Sequence, residues 1–342
     1  MPAACAPRAP YRSLLAEIGR LLEEGRTQAY RALNAALVQT YWAIGKQIVE
    51  FEQEGRRRAL YGGALLERLS ADLRTRYGAG FSKSNVYLMR QFYLAYPKFQ
   101  PAAGKLGWSH YAELLSIEDG MARRFYERQC LHERWSRREL RRQIGSALFE
   151  RLALSKDKRG VLRLARTGQL VETAADLVKD PYVLEFLDLP ERGRYTERQF
   201  EQNLIDKLQM FLLELGKGFT FVKRQYRVTL DNKDYYVDLV FYHRILRCFV
   251  LIDLKLGKVD QRDIGQMNMY LNYFNAEERA RGEREPIGLV LAADKNSLLV
   301  EYALGGISNK LFVSTYKLYL PDRKKLERRL QQLLAPPLSC IG

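Results

Sequence analysis

From Tyr11 to Glu150 apolar residues recur at three- and four-residue spacing with few strand-like alternations, a pattern that predicts helix almost throughout. The spacing predicts helices over 14–23, 27–52 and 63–77, then a glycine turn, Gly78-Ala79-Gly80-Phe81, and a helix over 83–96 capped by Ser82 and stopped before Pro97. Helix, glycine turn and capped helix is the plan of a helix-turn-helix, whose second helix enters the major groove of DNA. On that plan Ser84, Asn85, Tyr87, Arg90 and Gln91 face phosphates or base edges; on a plainer one they are the solvated side of an ordinary helix. Trp135-Ser136-Arg137-Arg138-Glu139-Leu140-Arg141-Arg142 reads as a capped helix with Arg137, Arg138, Arg141 and Arg142 on a basic outer face suited to a phosphate backbone. Through 155–193 the periodicity weakens among Gly160, Gly168, Pro181, Pro190 and Gly193. The chain is therefore read as a helical docking domain (11–155), a linker region (156–195), a second domain (196–320) and a C-terminal helix and tail (321–342).

The second domain opens with a capping box, Thr196-x-x-Gln199, and a helix expected to run to Leu215 and stop at Gly216, with Phe200, Leu204, Leu208, Leu212 and Leu215 as its core stripe. Glu201 lies at the edge of that stripe and needs a partner, because a buried unpaired charge is costly. The period then becomes two. Strands over 219–230, 234–245 and 247–256 form an expected antiparallel meander, with Asp231-Asn232-Lys233 as one turn. Val237, Leu239 and Phe241 take one face and Asp238 the other; Val250, Ile252 and Leu254 take one face and Asp253 with Lys255 the other. Two acids on adjacent strands, a lysine and a helical glutamate can then meet at one spot. Hard oxygen ligands of this kind suit Mg²⁺, or Mn²⁺, completed by water and a substrate phosphate. The ion polarises a phosphodiester and lowers the pKa of an attacking water, while Lys255 orients or deprotonates that water or offsets charge in the transition state. The competing reading of Asp253 and Lys255 is a structural ion pair. A helix over 261–274 places Gln266 and Tyr270 on one face, within reach of phosphate or a metal-bound water. Apolar strands over 286–293 and 311–318 and a basic amphipathic helix over 322–334 complete a mixed α/β domain.

Charge sharpens the choice of partner. Lysine and arginine outnumber aspartate and glutamate 56 to 40, a formal charge of +16, and fourteen basic residues against five acids fall between Met121 and Arg166. Such an excess attracts polyanions, DNA first and RNA also open. No apolar run is long enough to span a bilayer and the N-terminus lacks a signal-peptide core, so the expected location is the cytoplasm, with no membrane partner. Cys5, Cys130, Cys248 and Cys340 form no Cys-x-x-Cys pair, which argues against a zinc knuckle or a disulfide framework, and only three histidines occur.

Val237-Asp238, then Asp253-x-Lys255 after a helical glutamate, is similar to the core of the PDDEXK nuclease superfamily, and Gln266-x-x-x-Tyr270 resembles a motif of its RecB-like branch. Phe211-Leu212-Leu213-Glu214-Leu215-Gly216, Arg224-Gln225-Tyr226-Arg227 and Leu254-Lys255-Leu256-Gly257-Lys258 resemble the bacterial YhcG family. Tyr41-Trp42-x-Ile44-Gly45, Met89-Arg90-Gln91-Phe92-Tyr93 and Trp108-Ser109-His110-Tyr111 are similar to the helical, winged-helix-like domain that accompanies it. The resemblance implies a restriction-endonuclease-like α/β domain in which Glu201, Asp238 and Asp253 are metal ligands and Lys255 the motif lysine; the family more often carries glutamate where Asp253 stands. It implies a Mg²⁺-dependent DNA endonuclease. The rival expectations are a nucleic-acid-binding scaffold that does not hydrolyse and a regulatory partner in a mobile-element or toxin system; a homodimer would let two sites cut both strands.

Overall fold

The computed structural model describes residues 8–55, 64–99, 105–154, 156–190, 195–295, 297–305, 307 and 310–334. Cys5, Gly63, Gly193, Cys340 and the tail after Leu334 lie outside the described residues. Backbone proximity divides the chain into two units, one formed by residues up to 123 with 134–140, the other by 124–133 with the chain from 141 onward.

In the first unit a single helix, α1 (Arg8–Gly55), replaces the two that the pattern predicts. Gly25 weakens a helix without removing a backbone donor, so the turns run on through it. The helices α2 (Ala64–Tyr77) and α3 (Lys83–Ala95) follow with the expected glycine turn between them. Gly78 takes φ 93, open to glycine at little cost, and the Ser82 hydroxyl accepts from the Asn85 amide at 3.3 Å to cap α3. Val38, Ile48 and Val49 of α1 and Val86, Met89 and Phe92 of α3 are buried. Gly45 permits the close approach of these two helices, since a Cβ there would lie 2.0 Å from the Met89 carbonyl oxygen. The rings of Phe92, Phe99 and Tyr111, the last in α4 (Trp108–Leu114), close this core edge to face.

The helices α5 (Gly120–Glu133) and α6 (Arg137–Gly145) have residues in each unit; α7 (Leu148–Leu154) and α8 (Lys158–Thr167) belong to the second. There, a six-stranded sheet is built from β1 (Tyr182–Val183), β2 (Phe219–Leu230), β3 (Lys233–His243), β4 (Cys248–Lys258), β5 (Ile287–Asp294) and β6 (Lys310–Lys317) in the order β1-β6-β5-β4-β3-β2. β2, β3 and β4 form the predicted antiparallel meander, while β4, β5, β6 and β1 run parallel. Asp231 and Asn232 take φ 46 and 56, the left-handed pair that a two-residue hairpin turn requires. β2 is an edge: among the described residues no strand pairs with its outer side, and Val222 bulges out of the ladder.

Helices cover both faces of the sheet. Phe200 and Leu204 of α9 (Glu197–Asp206), with Phe211 and Leu215 of α10 (Leu208–Leu215), join Leu239, Phe241, Ile252 and Leu254 in one core cluster. Ile264, Met267 and Tyr270 of α11 (Gln261–Tyr273) join Val240, Leu251 and Val290 in the other. Burial of both faces explains why β5 is a continuous apolar run. The helix expected as far as Leu215 breaks at Lys207, whose backbone leaves the helical region and whose ammonium bonds the Phe186 carbonyl at 2.6 Å. The break resets the helical phase, so Phe211 is buried and Leu208 and Leu212 only partly so. The helices α12 (Ser297–Leu304) and α13 (Arg323–Leu334) complete this unit.

Candidate metal-binding site

The site forms where β3 and β4 part. Their ladder ends at the pair Leu239–Ile252, although β4 continues to Lys258 against β5. Beyond that pair the amides of β4 that face β3 have no strand to bond, and side chains take over. Asp238 Oδ2 accepts from the Leu254 amide at 2.8 Å, and Glu197 Oε1 accepts from the Leu256 amide at 3.4 Å. The parting also changes the phase of β3. Val237 joins the α11-side core, while Leu239 and Phe241 join the opposite one, so the single face expected for these three residues is corrected. Asp253 and Lys255, paired with Val290 and Ala292 of β5, stand on the α11 side as their alternation predicts.

Glu201, Asp238, Asp253 and Lys255 are brought into one connected group. Gln225 of β2 lies opposite Asp238, and its Nε2 donates to Glu201 Oε2 at 2.7 Å and to Asp238 Oδ1 at 3.0 Å. Asp253 neighbours Asp238 closely enough for each carboxyl group to act on the other's ionisation. Lys255 Nζ lies 3.0 Å from Asp253 Oδ2 and 3.4 Å from Asp263 Oδ1. Burial raises the Glu201 carboxyl above its ordinary range. Burial, and then its neighbour Asp238, push Asp253 up to about 7, and burial raises Asp238 in the same direction. Burial alone would lower Lys255, but Asp253 and then Asp263 outweigh it and keep the ammonium charged.

These features fit a divalent cation. The donors are carboxylate oxygens, the chemistry that Mg²⁺ and Mn²⁺ prefer. Glu201 Oε1 is buried without a hydrogen-bond partner, and burial together with the neighbouring Asp238 outweighs Lys255 in raising Asp253. Among the described residues no three acidic, histidine or cysteine side chains are drawn together as a ready cage. The fit is therefore to an ion held by a few carboxylates, with water and phosphate completing its shell, as Mg²⁺ commonly is.

Gln266 and Tyr270 border this group. Gln266 Nε2 donates to Tyr270 Oη at 2.5 Å, and Tyr270 Oη donates to the Tyr236 carbonyl at 2.9 Å, anchoring β3 two residues before Asp238. Of the residues expected to meet nucleic acid, Ser84, Arg138 and Arg141 are exposed. Asn85 is engaged within the first unit, donating to the Gly80 carbonyl and accepting from Trp108 Nε1 at 2.7 Å. Arg90 Nε donates to both carboxylate oxygens of Glu52, at 3.0 and 2.8 Å, and Arg137 lies 2.8 Å from Glu113. Arg142 is a correction: it is not on an outer face. Its guanidinium is buried against Glu185 at 3.0 Å, Glu214 at 3.3 Å and the Val183 carbonyl at 3.1 Å. A helical period from Arg138 to Arg141 continues to Arg142 only one residue round the axis, where packing of the chain after 141 decides exposure. Gln225 and Asp263 went unforeseen. Counting pairs outward from the Asp231-Asn232 turn sets Gln225 opposite Asp238, so that signal lay in the sequence.

Residues 175–332 match the YhcG PDDEXK nuclease domain, and residues 17–151 match the DUF1016 N-terminal domain. The chain is 41% identical over 354 aligned positions, covering 94% of each protein, to a protein of Escherichia coli (strain K12) described as "Putative nuclease YhcG". A solved repair endonuclease from Pyrococcus abyssi aligns with 39% of this chain and 50% of its own at 17% identity, with a TM-score of 0.27. Apo EndoMS aligns with 38% and 48% at 13% identity, with a TM-score of 0.25.

Proposed function

The chain belongs to the YhcG family of PDDEXK nucleases, and on that premise we propose that it hydrolyses phosphodiester bonds in DNA with Mg²⁺, or Mn²⁺, in the cytoplasm. The observation that carries the reading is the meeting of Asp238 and Asp253 where β3 and β4 part, with Lys255 paired to Asp253. Glu201, Asp238 and Asp253 would hold the ion, which when bound supplies Lewis-acid polarisation of the phosphodiester and a more acidic water. Asp238 is oriented for this by the Leu254 amide. Lys255, kept charged between Asp253 and Asp263, is suited to offset negative charge on the phosphate and to orient a water rather than to deprotonate one. Tyr270 and Gln266 fix the strand that carries Asp238. The helical residues 11–155 would dock nucleic acid, with the exposed Arg138 and Arg141 on its phosphates, and residues 196–320 would cut it.

The test is a cleavage panel of single-stranded, duplex and branched DNA, and the matching RNAs, with Mg²⁺ and Mn²⁺. Asp253→Ala and Lys255→Ala should each abolish metal-dependent cleavage and leave DNA binding intact; cleavage undiminished in both variants would sink the assignment. One observation favours a second reading, a nucleic-acid-binding scaffold: the Gln225 amide already bridges Glu201 and Asp238. Tight, salt-sensitive binding by wild type without cleavage of any substrate would select it.

A further inference from the structure

α1 exposes large apolar side chains along its first three-quarters. Leu15 and Leu22 are 58% and 57% exposed, and Leu14, Ile18, Leu21 and Leu33 are comparably bare. Single exposed apolar residues are ordinary, but a continuous stripe of them marks a surface made for contact. The stripe has the alternating four- and three-residue step of a coiled-coil seam. Tyr11, Leu15, Ile18 and Leu22 open the seam, and Gly25, Ala29, Ala32 and Ala36 continue it at the same step. The first half is thus large, and the second half small.

This division identifies the occupant. We propose that α1 pairs antiparallel with α1 of a second copy of this chain. In the register that centres the contact between Glu23 and Glu24, Tyr11 meets Ala36, Leu15 meets Ala32, Ile18 meets Ala29 and Leu22 meets Gly25, each with the residue of the second copy. Every layer then holds one large and one small side chain, the interdigitation that fills space without voids. A parallel pair would set large against large at one end and small against small at the other.

Charge agrees with this register. The flanking pairs it creates are Arg12 with Leu33, Gly19 with Arg26, Leu14 with Ala35 and Leu21 with Gln28, so no like charges meet. Arg20 and Arg26 are satisfied within their own helix, by Glu24 at 2.8 Å and Glu23 at 3.0 Å. Gly25 adds an independent sign. It is a weak helix former in the middle of a helix, and a Cβ built on it meets nothing within 4 Å of its own chain. Close approach of a second helix accounts for it. The paired stretch is about 39 Å long at 1.5 Å per residue, close to four heptads. The contact is apolar and does not depend on the nuclease reading.

The experiment is sedimentation velocity of the full chain at micromolar concentration in high salt, which strips bound nucleic acid. Wild type should sediment at twice the chain mass. Gly25→Leu, which opposes Leu22 of the second copy, should raise the dimer dissociation constant at least about tenfold with helical circular dichroism unchanged. The double exchange Leu22→Gly with Gly25→Leu restores one large and one small residue in each central layer and should recover the dimer. A monomeric wild type overturns the proposal, as does a dimer indifferent to Gly25→Leu, and so does a seam filled by a different protein in stoichiometric amount. Failure of the double exchange to rescue overturns the antiparallel register.

Discussion

A buried carboxylate is tolerated when enough positive charge faces it, and Glu214 and Asp253 stand at opposite ends of that rule. Burial pushes Glu214 up, but Arg151, Lys179 and Arg142 overcome it and hold the carboxyl at about 2. Burial and then Asp238 raise Asp253 to about 7, against the pull of Lys255. Its folded pKa lies above the ordinary 3.8, so the folded protein binds the extra proton, and this stability is complete below about pH 4 and lost as pH rises toward 7. Asp253→Asn should therefore stabilise the metal-free protein at pH 7 by ~1–2 kcal/mol and leave it unchanged near pH 4. Melting curves in a chelator, compared as the difference between wild type and variant, isolate this effect from His132 and His243, which burial lowers and which act in the opposite direction. Asp238, Asp253 and Lys255 were legible because acids and lysine interrupt apolar strands. Glu214 was not, because in sequence it looks like the polar edge of a helix, and only the buried arginines explain it.

At the scale of elements, alternation and caps carried far. The three strands of the meander, the Asp231-Asn232 turn and the Ser82 and Thr196 caps all follow from local chemistry. Two features did not: the break at Lys207 depends on the distant Phe186 and Asp188, and the parting of β3 from β4 depends on carboxylates bonding amides across it. Gly45 was visible as a motif residue but not as a contact. Gly45→Ala would press a methyl group into the Met89 carbonyl, backbone that cannot rotate away, and should cost about 1–3 kcal/mol. A denaturant titration followed by tryptophan fluorescence reads this directly, because Trp42 and Trp108 lie in the same unit. A midpoint equal to wild type would show that α1 and α3 do not close on that glycine.

For the whole molecule, the charge of +16 is the property most plainly written in the sequence, and it belongs to binding rather than to fold. DNA affinity should fall linearly with the logarithm of salt, by at least about tenfold between roughly 50 and 200 mM, as fluorescence anisotropy would measure; a flat profile would exclude phosphate contacts as the source of affinity. The division into units was less legible: Arg142 and Arg151, arginines that composition counts as surface, are buried against Glu214 of α10 within the second unit. Among the described residues no helix is long and apolar enough to cross a membrane. The open edge of β2 carries a last consequence. An unpaired strand invites neighbouring chains to extend the sheet, the first step of aggregation, and natural proteins block it with bulges and cationic side chains. β2 has both, in Val222 and in the exposed Lys223, Arg224 and Arg227. On the proposed function, positive charges that would draw a polyanion toward the site would also guard this edge, and stripping them would confound lost affinity with lost soluble protein.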